Sequence, residues 1–301
     1  MRVHFIGIDE NIICDLAIAL KREGIGVTGS TDSYDELSES VSSSLEKEGI
    51  LSDIHNFNKN NISKEIDYLV LATDIKSDNI EVEQANILNI NTYSYCDFIY
   101  EYSKNKTRIV IAGSSQRANI ISMILHVLQY NDIEIDYVLS KGVKANVSLT
   151  SHNNFILIEG DEYLSYNNSS SINAYKPNIT LLSSINWEYS DTFKSLEDYL
   201  ERFKALIDSI TYGGCVVYNS QDNLVSGICE SSTNFIKKFP YRVPEFSFKK
   251  GNYYINTFEG EVPLGIKDEF DLLNIEASRL ISNQIGINDS DFYEAIIYFT
   301  V

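Results

Sequence analysis

The sequence predicts an α/β protein made of two successive units, each an open parallel sheet with covering helices. Three observations carry that expectation. Short apolar runs of the length of a buried strand alternate with segments whose apolar residues recur every three or four positions, the period of a helix face. The cycle opens twice, at residues 3–8 and at residues 108–113, each time followed by a loop and an amphipathic segment. The chain has 301 residues and 44% hydrophobic composition, enough to fill two ordinary cores without a disulfide or structural metal.

Residues 3–8 form the first strand, and Ile12, Ile13, Leu16, Ala17 and Leu20 share a helix face that ends by Gly24. A second cycle begins at Gly26-Val27-Thr28-Gly29. Residues 30–44, rich in Ser, Asp and Glu, read as a surface loop leading into a short helix ended by Gly49. Residues 68–72 are the next buried strand, 82–88 a helix and 91–95 a further strand. The polar stretch 103–107 marks the boundary, so the first domain covers 1–105 and the second 106–301. In the second, residues 108–113 form a strand and Ile120, Ile121, Ile124, Leu125 and Leu128 share one helix face. Residues 155–158 and 179–182 are central strands, and Leu196, Leu200, Phe203, Ile207 and Ile210 mark a strongly amphipathic helix. Residues 216–218 resume the sheet. Beyond Pro240 the runs 247–248, 253–255 and 261–264, separated by Gly251 and Gly260, read as antiparallel hairpins. Helices over 272–283 and 290–299 close the chain. They carry Leu272, Leu280, Ile281, Phe292, Ile296, Ile297 and Phe299, some of which must face the core, while Ile296, Ile297 and Phe299 give the last turn more apolar surface than one face is expected to hide.

Twenty-four Lys and Arg against 43 Asp and Glu give a formal net charge of -19, a field that repels a phosphate backbone or an anionic lipid surface. Neither nucleic acid nor membrane is an expected partner. Cys14, Cys96, Cys215 and Cys229 have no CxxC or zinc-like spacing and read as small buried or half-buried hydrophobes. The chain begins directly with a strand and has no long apolar run, so a cytoplasmic location is expected. His55 and His152 fall in polar segments, His4 in a strand and His126 in a helix, with no nucleophile pattern beside any of them.

Two strand-to-helix loops stand where open α/β sheets place ligands. After the first strand, a pyrophosphate site needs glycines whose N–H groups face the phosphates. Here Asp9 and Glu10 follow Gly7, and two carboxylates at that mouth oppose pyrophosphate while suiting a plain helix entry. After the strand at 108–113, the loop Gly113-Ser114-Ser115-Gln116-Arg117-Ala118-Asn119 has the context of a phosphate-binding loop without its content. Gln116 stands where glycine would let the backbone wrap phosphates. Arg117 is forked rather than a compact ammonium, and Ala118 offers no oxygen to magnesium. Ordinary ATP binding is not expected, and weak anion binding through Arg117 and the helix N-terminus stays open. The run Glu159-Gly160-Asp161-Glu162 gathers carboxylates at a strand end, fit for a hard cation with water or for a solvated turn.

The segments MRVHFIGI, GVTGS, FIYEYSKNKTRIVIAGS, ISMILHVLQY, ILIEGDEYLS, YKPNITLLSSINWEYSDTFKSLEDYLERFKALIDSI and IGINDSDFYEAIIYF together resemble the Mur ligase superfamily, and within it the murein peptide ligases, along the whole chain. Those ligases join a recycled tripeptide to UDP-N-acetylmuramate. The resemblance implies a Rossmann-like N-terminal domain for the UDP-sugar at 1–105 and a P-loop-type central ATPase domain at 106–301. On this resemblance the family's peptide-binding third domain is not expected within these 301 residues, Phe299 being the last position that aligns. It also implies that Gly7, Asp9 and Glu10 match the UDP-sugar loop and that residues 113–119 match the nucleotide loop, with lysine replaced by Arg117 and the magnesium threonine by Ala118. The family's metal-binding glutamate falls on Glu159. Its Asp-His pair falls on Glu188 and Tyr189, its His-Asn pair near the nucleotide base falls on Phe270 and Asp271, and a following asparagine is kept as Asn274.

With these motifs altered together, the expected function is that of a catalytically impaired paralogue related to peptidoglycan tripeptide recycling. It would act as a scaffold or regulator through a protein partner or a second copy of itself, with no catalytic residues, no metal and no cofactor. Two alternatives stay open: a module binding a UDP-sugar or muropeptide, and an active ATP- and magnesium-dependent amide ligase completed by a separate third domain.

Overall fold

The computed structural model describes every residue except 33, 140–145, 162–171, 259, 267 and 301. The chain forms two compact units: Met1–Asn105 with Asp136–His152 and Tyr163–Tyr175, and Lys106–Ile135 with Asn153–Glu162 and Lys176–Val301. The described residues 136–139, 146–152 and 172–175 thus cluster with the first unit although they follow the polar stretch at 103–107.

In the first unit, β1 (Arg2–Ile6), β2 (Gly26–Thr31), β3 (Ile54–Asn56), β4 (Tyr68–Leu71) and β5 (Thr92–Ser94) form a parallel sheet in the order β3-β2-β1-β4-β5. Val3, Phe5 and Ile6 of the central strand are fully buried, as a strand covered on both faces requires. Helix α1 (Asn11–Arg22) buries Ile13, Leu16, Ala17 and Leu20, the face its spacing predicts, and carries Lys21 and Arg22 in its last turn, where cations complement the helix dipole. Helices α2 (Glu39–Lys47) and α3 (Ile80–Leu88) are capped by the side chains of Ser38 and Asn79, and Asn89 ends α3 in the left-handed region. Helix α4 (Tyr95–Ser103) is capped by Ser94. Ile6, Ile62, Ile66, Leu69, Leu71, Val82 and Ala85 form one apolar cluster.

A polar knot crosses this core. Glu81 has no exposure and accepts hydrogen bonds from the Ser30 hydroxyl, the Asn58 backbone N–H at 3.0 Å and the Asn61 amide at 2.6 Å. His4 Nε2 lies 3.6 Å from the same carboxylate, and His4 Nδ1 is 2.8 Å from Thr28 Oγ1. Burial alone would push the Glu81 carboxyl up. The nearby His4 ring and the bonds from Asn58 and Ser30 outweigh it and hold the group below the usual glutamate value.

In the second unit, β6 (Thr107–Ala112) leads through a loop into α5 (Arg117–Tyr130). Strands β7 (Asp136–Val138) and β8 (Val147–Ser148) pair antiparallel within the segment that clusters with the first unit. Strands β9 (Phe155–Glu159), β10 (Ile179–Leu182), β11 (Cys215–Asn219) and β12 (Lys237–Tyr241) join β6 in the parallel order β12-β11-β10-β6-β9. Pro240 lies inside β12, at the edge, where a missing N–H costs no ladder bond. Helices α6 (Leu196–Ser209) and α7 (Asn223–Ser231) are capped by Ser195 and Asp222. Strands β13 (Phe246–Lys249), β14 (Asn252–Thr257) and β15 (Gly260–Leu264) form the antiparallel sheet predicted from Gly251 and Gly260. Helices α8 (Phe270–Ile285) and α9 (Asp289–Ile296) follow. Leu272, Ile281 and Phe292 face the core, and so does Ile296 of the last turn. Leu280, Ile297 and Phe299 are half-buried, Phe299 edge-on to His126, while Tyr298 is exposed and stacked on Tyr130.

All four cysteines are buried, and burial pushes the thiols of Cys14 and Cys229 up to about 12 and that of Cys215 to about 11. No described helix is long and apolar enough to cross a membrane.

Candidate functional site

The loop between β6 and α5 is set by one glycine. Gly113 has φ +131°, and a Cβ there would lie 2.2 Å from Ser183 Oγ, so only glycine fits. The next residues are fastened to the end of β10. Ser114 N–H donates to the Ser184 carbonyl at 3.0 Å and Ser115 N–H donates to Ser184 Oγ at 3.2 Å. The Ser115 and Ser184 hydroxyls are 2.9 Å apart, Ser183 Oγ donates to the Ser115 carbonyl at 2.9 Å, and Asn186 N–H donates to Ser114 Oγ at 2.6 Å. Two amides of the loop thus already have protein acceptors. Gln116 follows with φ +68°, a left-handed conformation that glycine adopts without strain and a longer side chain does not.

Arg117 opens α5, and its guanidinium turns inward. Nη1 donates to the Gly113 carbonyl, and Nε donates to Glu159 Oε1 at 3.3 Å. The side chains of Arg117 and Glu159 are only 17% and 9% exposed, so this ion pair is partly shielded from water. The two residues that the resemblance assigns to phosphate and metal are therefore bonded to each other. Ala118 is exposed and supplies no oxygen, and Asn119 donates to Gln116 Oε1 at 3.1 Å. A magnesium-bound triphosphate does not fit this set: its cation would compete with Arg117 for Glu159, and the hydroxyl it needs is missing. Among the described residues no group of three or more His, Cys, Asp or Glu side chains could hold a metal ion. Asp161 is described, whereas Glu162 lies outside the described residues.

Asn274 of α8 is buried and donates to Gln116 Oε1 at 3.0 Å, joining the loop from the opposite side. Its neighbour Asp271 is 7% exposed, and burial raises its carboxyl above the usual range. Phe270, Glu188 and Tyr189 are exposed and stand outside the Arg117–Glu159 network.

The first loop is built differently. Gly7 has φ +83°, and a Cβ there would meet the Ala72 Cβ at 2.6 Å. The N–H groups of Gly7 and Ile8 both donate to the Ser30 carbonyl, at 2.8 and 3.1 Å. Glu10 stands at the start of α1 but its side chain does not cap the helix; it accepts instead from the N–H and hydroxyl of Thr73, each at 2.9 Å, while Asp9 is exposed. Beside them lies a cavity of about 750 Å³ at the β1–β4 switch point, lined by five carboxylates, Asp9, Glu10, Asp32, Asp74 and Asp78, against the single lysine Lys76. That balance disfavours a pyrophosphate.

Ser183, Ser184 and Thr73 escaped sequence reasoning. The signal was present in part, because the serines directly follow a buried strand at the carboxyl edge of a parallel sheet. Their role depends on β10 lying next to β6, which strand patterning does not reveal.

No family model matches the chain. Curated proteins similar to it include the UDP-N-acetylmuramate–L-alanine ligase of Dictyoglomus turgidum, 25% identical over 308 residues covering 95% of this chain and 62% of that protein. The enzyme of the same description from Borreliella burgdorferi is 26% identical over 312 residues, 98% of this chain and 65% of its own length. The chain thus spans less than two thirds of these relatives. Among solved structures, the UDP-N-acetylmuramate:L-alanyl-gamma-D-glutamyl-meso-diaminopimelate ligase from Neisseria meningitides has a TM-score of 0.81 at 18% identity, covering 100% of this chain and 98% of that one.

Proposed function

We propose, from homology to the Mur ligase superfamily at low identity, that this chain is a catalytically impaired relative of the peptidoglycan ligases that works through protein contact. The relationship ties it to peptidoglycan metabolism in general. The observation that carries the finer reading is the Arg117–Glu159 pair. Ligases of this kind need a cation over the phosphates and a carboxylate on the metal, and here each neutralises the other. The replacement of a hydroxyl by Ala118 supports the same reading. On this reading the chain has no catalytic residue and no ATP or magnesium requirement, and its useful surface is a contact for a partner protein or a second copy. Supporting that surface, Phe258, Tyr293 and Ile297 line a groove of about 700 Å³ beside β15 and α9.

The test is calorimetry with magnesium and ATP on the purified chain. The expected result is no binding tighter than about millimolar. A micromolar dissociation constant would overturn the proposal, and restoring glycine, lysine and threonine at positions 116, 117 and 118 should not by itself restore ligation.

A further inference from the structure

We propose that the free edge of β15 is a docking site for an extended, basic segment of a partner protein. The segment adds antiparallel to the β13–β15 sheet as a fourth strand and lays every second side chain into the groove between β15 and α9. This rests on the reading that the chain's useful surface is a protein contact, and it names the chemistry of the partner.

In the order β13-β14-β15, β15 has a partner on one side only among the described strands. Its register shows which backbone groups are left over. Asn256 N–H donates to the Glu245 carbonyl at 2.8 Å, away from β15, so the Asn256↔Glu261 pair exchanges no ladder bonds. Alternation along an antiparallel ladder then gives those bonds to Ile255↔Val262 and Tyr253↔Leu264. Glu261 N–H and the carbonyls of Glu261 and Pro263 therefore point off the sheet, and both residues are exposed. The groove beside them, of about 700 Å³, reaches Tyr293 of α9 and Ile297 just after it. Val262 shares a sheet face with the buried Ile255 and Leu264. A strand added here thus places apolar residues beside Val262, toward Tyr293 and Ile297, and sets the alternate residues outward beside Glu261 and Pro263. Charge selects the occupant. Glu261, Asp289 and Glu294 line the groove against Arg279, whose guanidinium is already held by Glu276 and Asp289, each at 2.6 Å. Lys249 pairs with Glu261 at an exposed position, where the pair is weak and open to exchange. A second copy of the chain would bring its own Glu261 and a net charge of -19 to the edge, whereas lysines or arginines on the outward positions of a basic strand meet carboxylates.

The experiment uses the full chain and acetylated, amidated peptides of about seven residues, enough to span β15. Binding is read by calorimetry at about 0.15 M salt, where long-range attraction is screened. A peptide alternating lysine and valine should bind at least about tenfold more tightly than its isomer with the lysines grouped ahead of the valines. A glutamate–valine alternation should not bind. N-methylation of the lysine backbone amides, which face β15 in this register, should abolish binding, and N-methylation of the valine amides should spare it. Reversing two exposed carboxylates, Glu261→Lys with Glu294→Lys, should weaken binding at least about tenfold. The same change on α2, Glu39→Lys with Glu46→Lys, should leave it unchanged, with circular dichroism confirming the fold of each variant. A grouped isomer that binds as tightly, indifference to the site of N-methylation, or equal losses from the two pairs of reversals overturns the proposal. So does self-association that the peptide displaces, which would seat a second copy on the edge. A chain that binds neither peptide nor magnesium–ATP overturns this inference and leaves the catalytic reading standing, because the nucleotide titration decides that reading alone.

Discussion

Glu81 shows how a single residue can tie together parts of the chain far apart in sequence, because its buried carboxylate bonds to Ser30, Asn58 and Asn61 beside His4. Its folded value lies below 4.5, so the stability it contributes is present above that pH and is lost as pH falls through the lowered folded value. Glu81→Gln is expected to cost about 2 kcal/mol at pH 7. The difference should shrink as both proteins are titrated below pH 4.5, read as urea midpoints over that range. An unchanged gap across the range would mean the carboxylate's charge is not what holds the knot. At this scale the composition of the loop after β6 was legible, since positions 116–118 hold glutamine, arginine and alanine rather than glycine, lysine and a hydroxyl-bearing residue. The meeting of Arg117 with Glu159 was not, because they come from elements 42 residues apart that become neighbours only through the β6–β9 pairing. Likewise Asp32, Asp74 and Asp78 join Asp9 and Glu10 around one cavity although they lie in separate loops.

Among the elements, the strands with continuous apolar runs were readable, and β12 was not. Strand β12, with the sequence KKFPY, has neither alternation nor a buried run, yet it joins the sheet as an edge where its lysines stay at the surface. Helix α4 is rich in tyrosine and has no clean helical spacing. Its start was nonetheless marked by Ser94 with Asp97 three residues on, a capping pattern whose hydroxyl accepts the Asp97 N–H at 3.2 Å. The caps also differ in consequence. Ser195 serves α6 alone, accepting the Asp198 N–H, whereas Asp222 accepts from Leu224 and Val225 at the start of α7 and from Ile185 N–H at 3.0 Å, directly after Ser184. Ser195→Ala is therefore expected to cost about 1 kcal/mol and Asp222→Ala about 2 kcal/mol or more. Urea unfolding of both variants checks the order, and equal losses would mean that the Ile185 bond adds nothing.

On the scale of the whole molecule, the sequence was read with one boundary at residues 103–107, whereas segments beyond that line cluster with the first unit. Asn146 donates to Asp15 at 2.8 Å, Ser151 N–H donates to Glu23 at 2.8 Å, and Cys96 Sγ meets the Tyr175 hydroxyl at 3.2 Å, all within the first unit. Those later segments lack the periodicity that announces an element, so sequence patterning assigned them to the unit they follow. The buried cysteines have a further use. Thiolate is the form that reacts, and burial keeps all four thiols out of reach and those of Cys14, Cys215 and Cys229 protonated. Cys14 and Cys96 lie in the first unit, Cys215 and Cys229 in the second. The chain thus carries two natural clocks for its own opening. In native buffer an alkylating reagent should modify all four slowly, at rates set by unfolding rather than by thiol chemistry. Peptide mass mapping along a urea series should then show the two pairs becoming reactive each with its own unit. Fast labelling of any one in the native state would count against the burial described here, whereas two separate onsets would time the opening of each unit without an added probe.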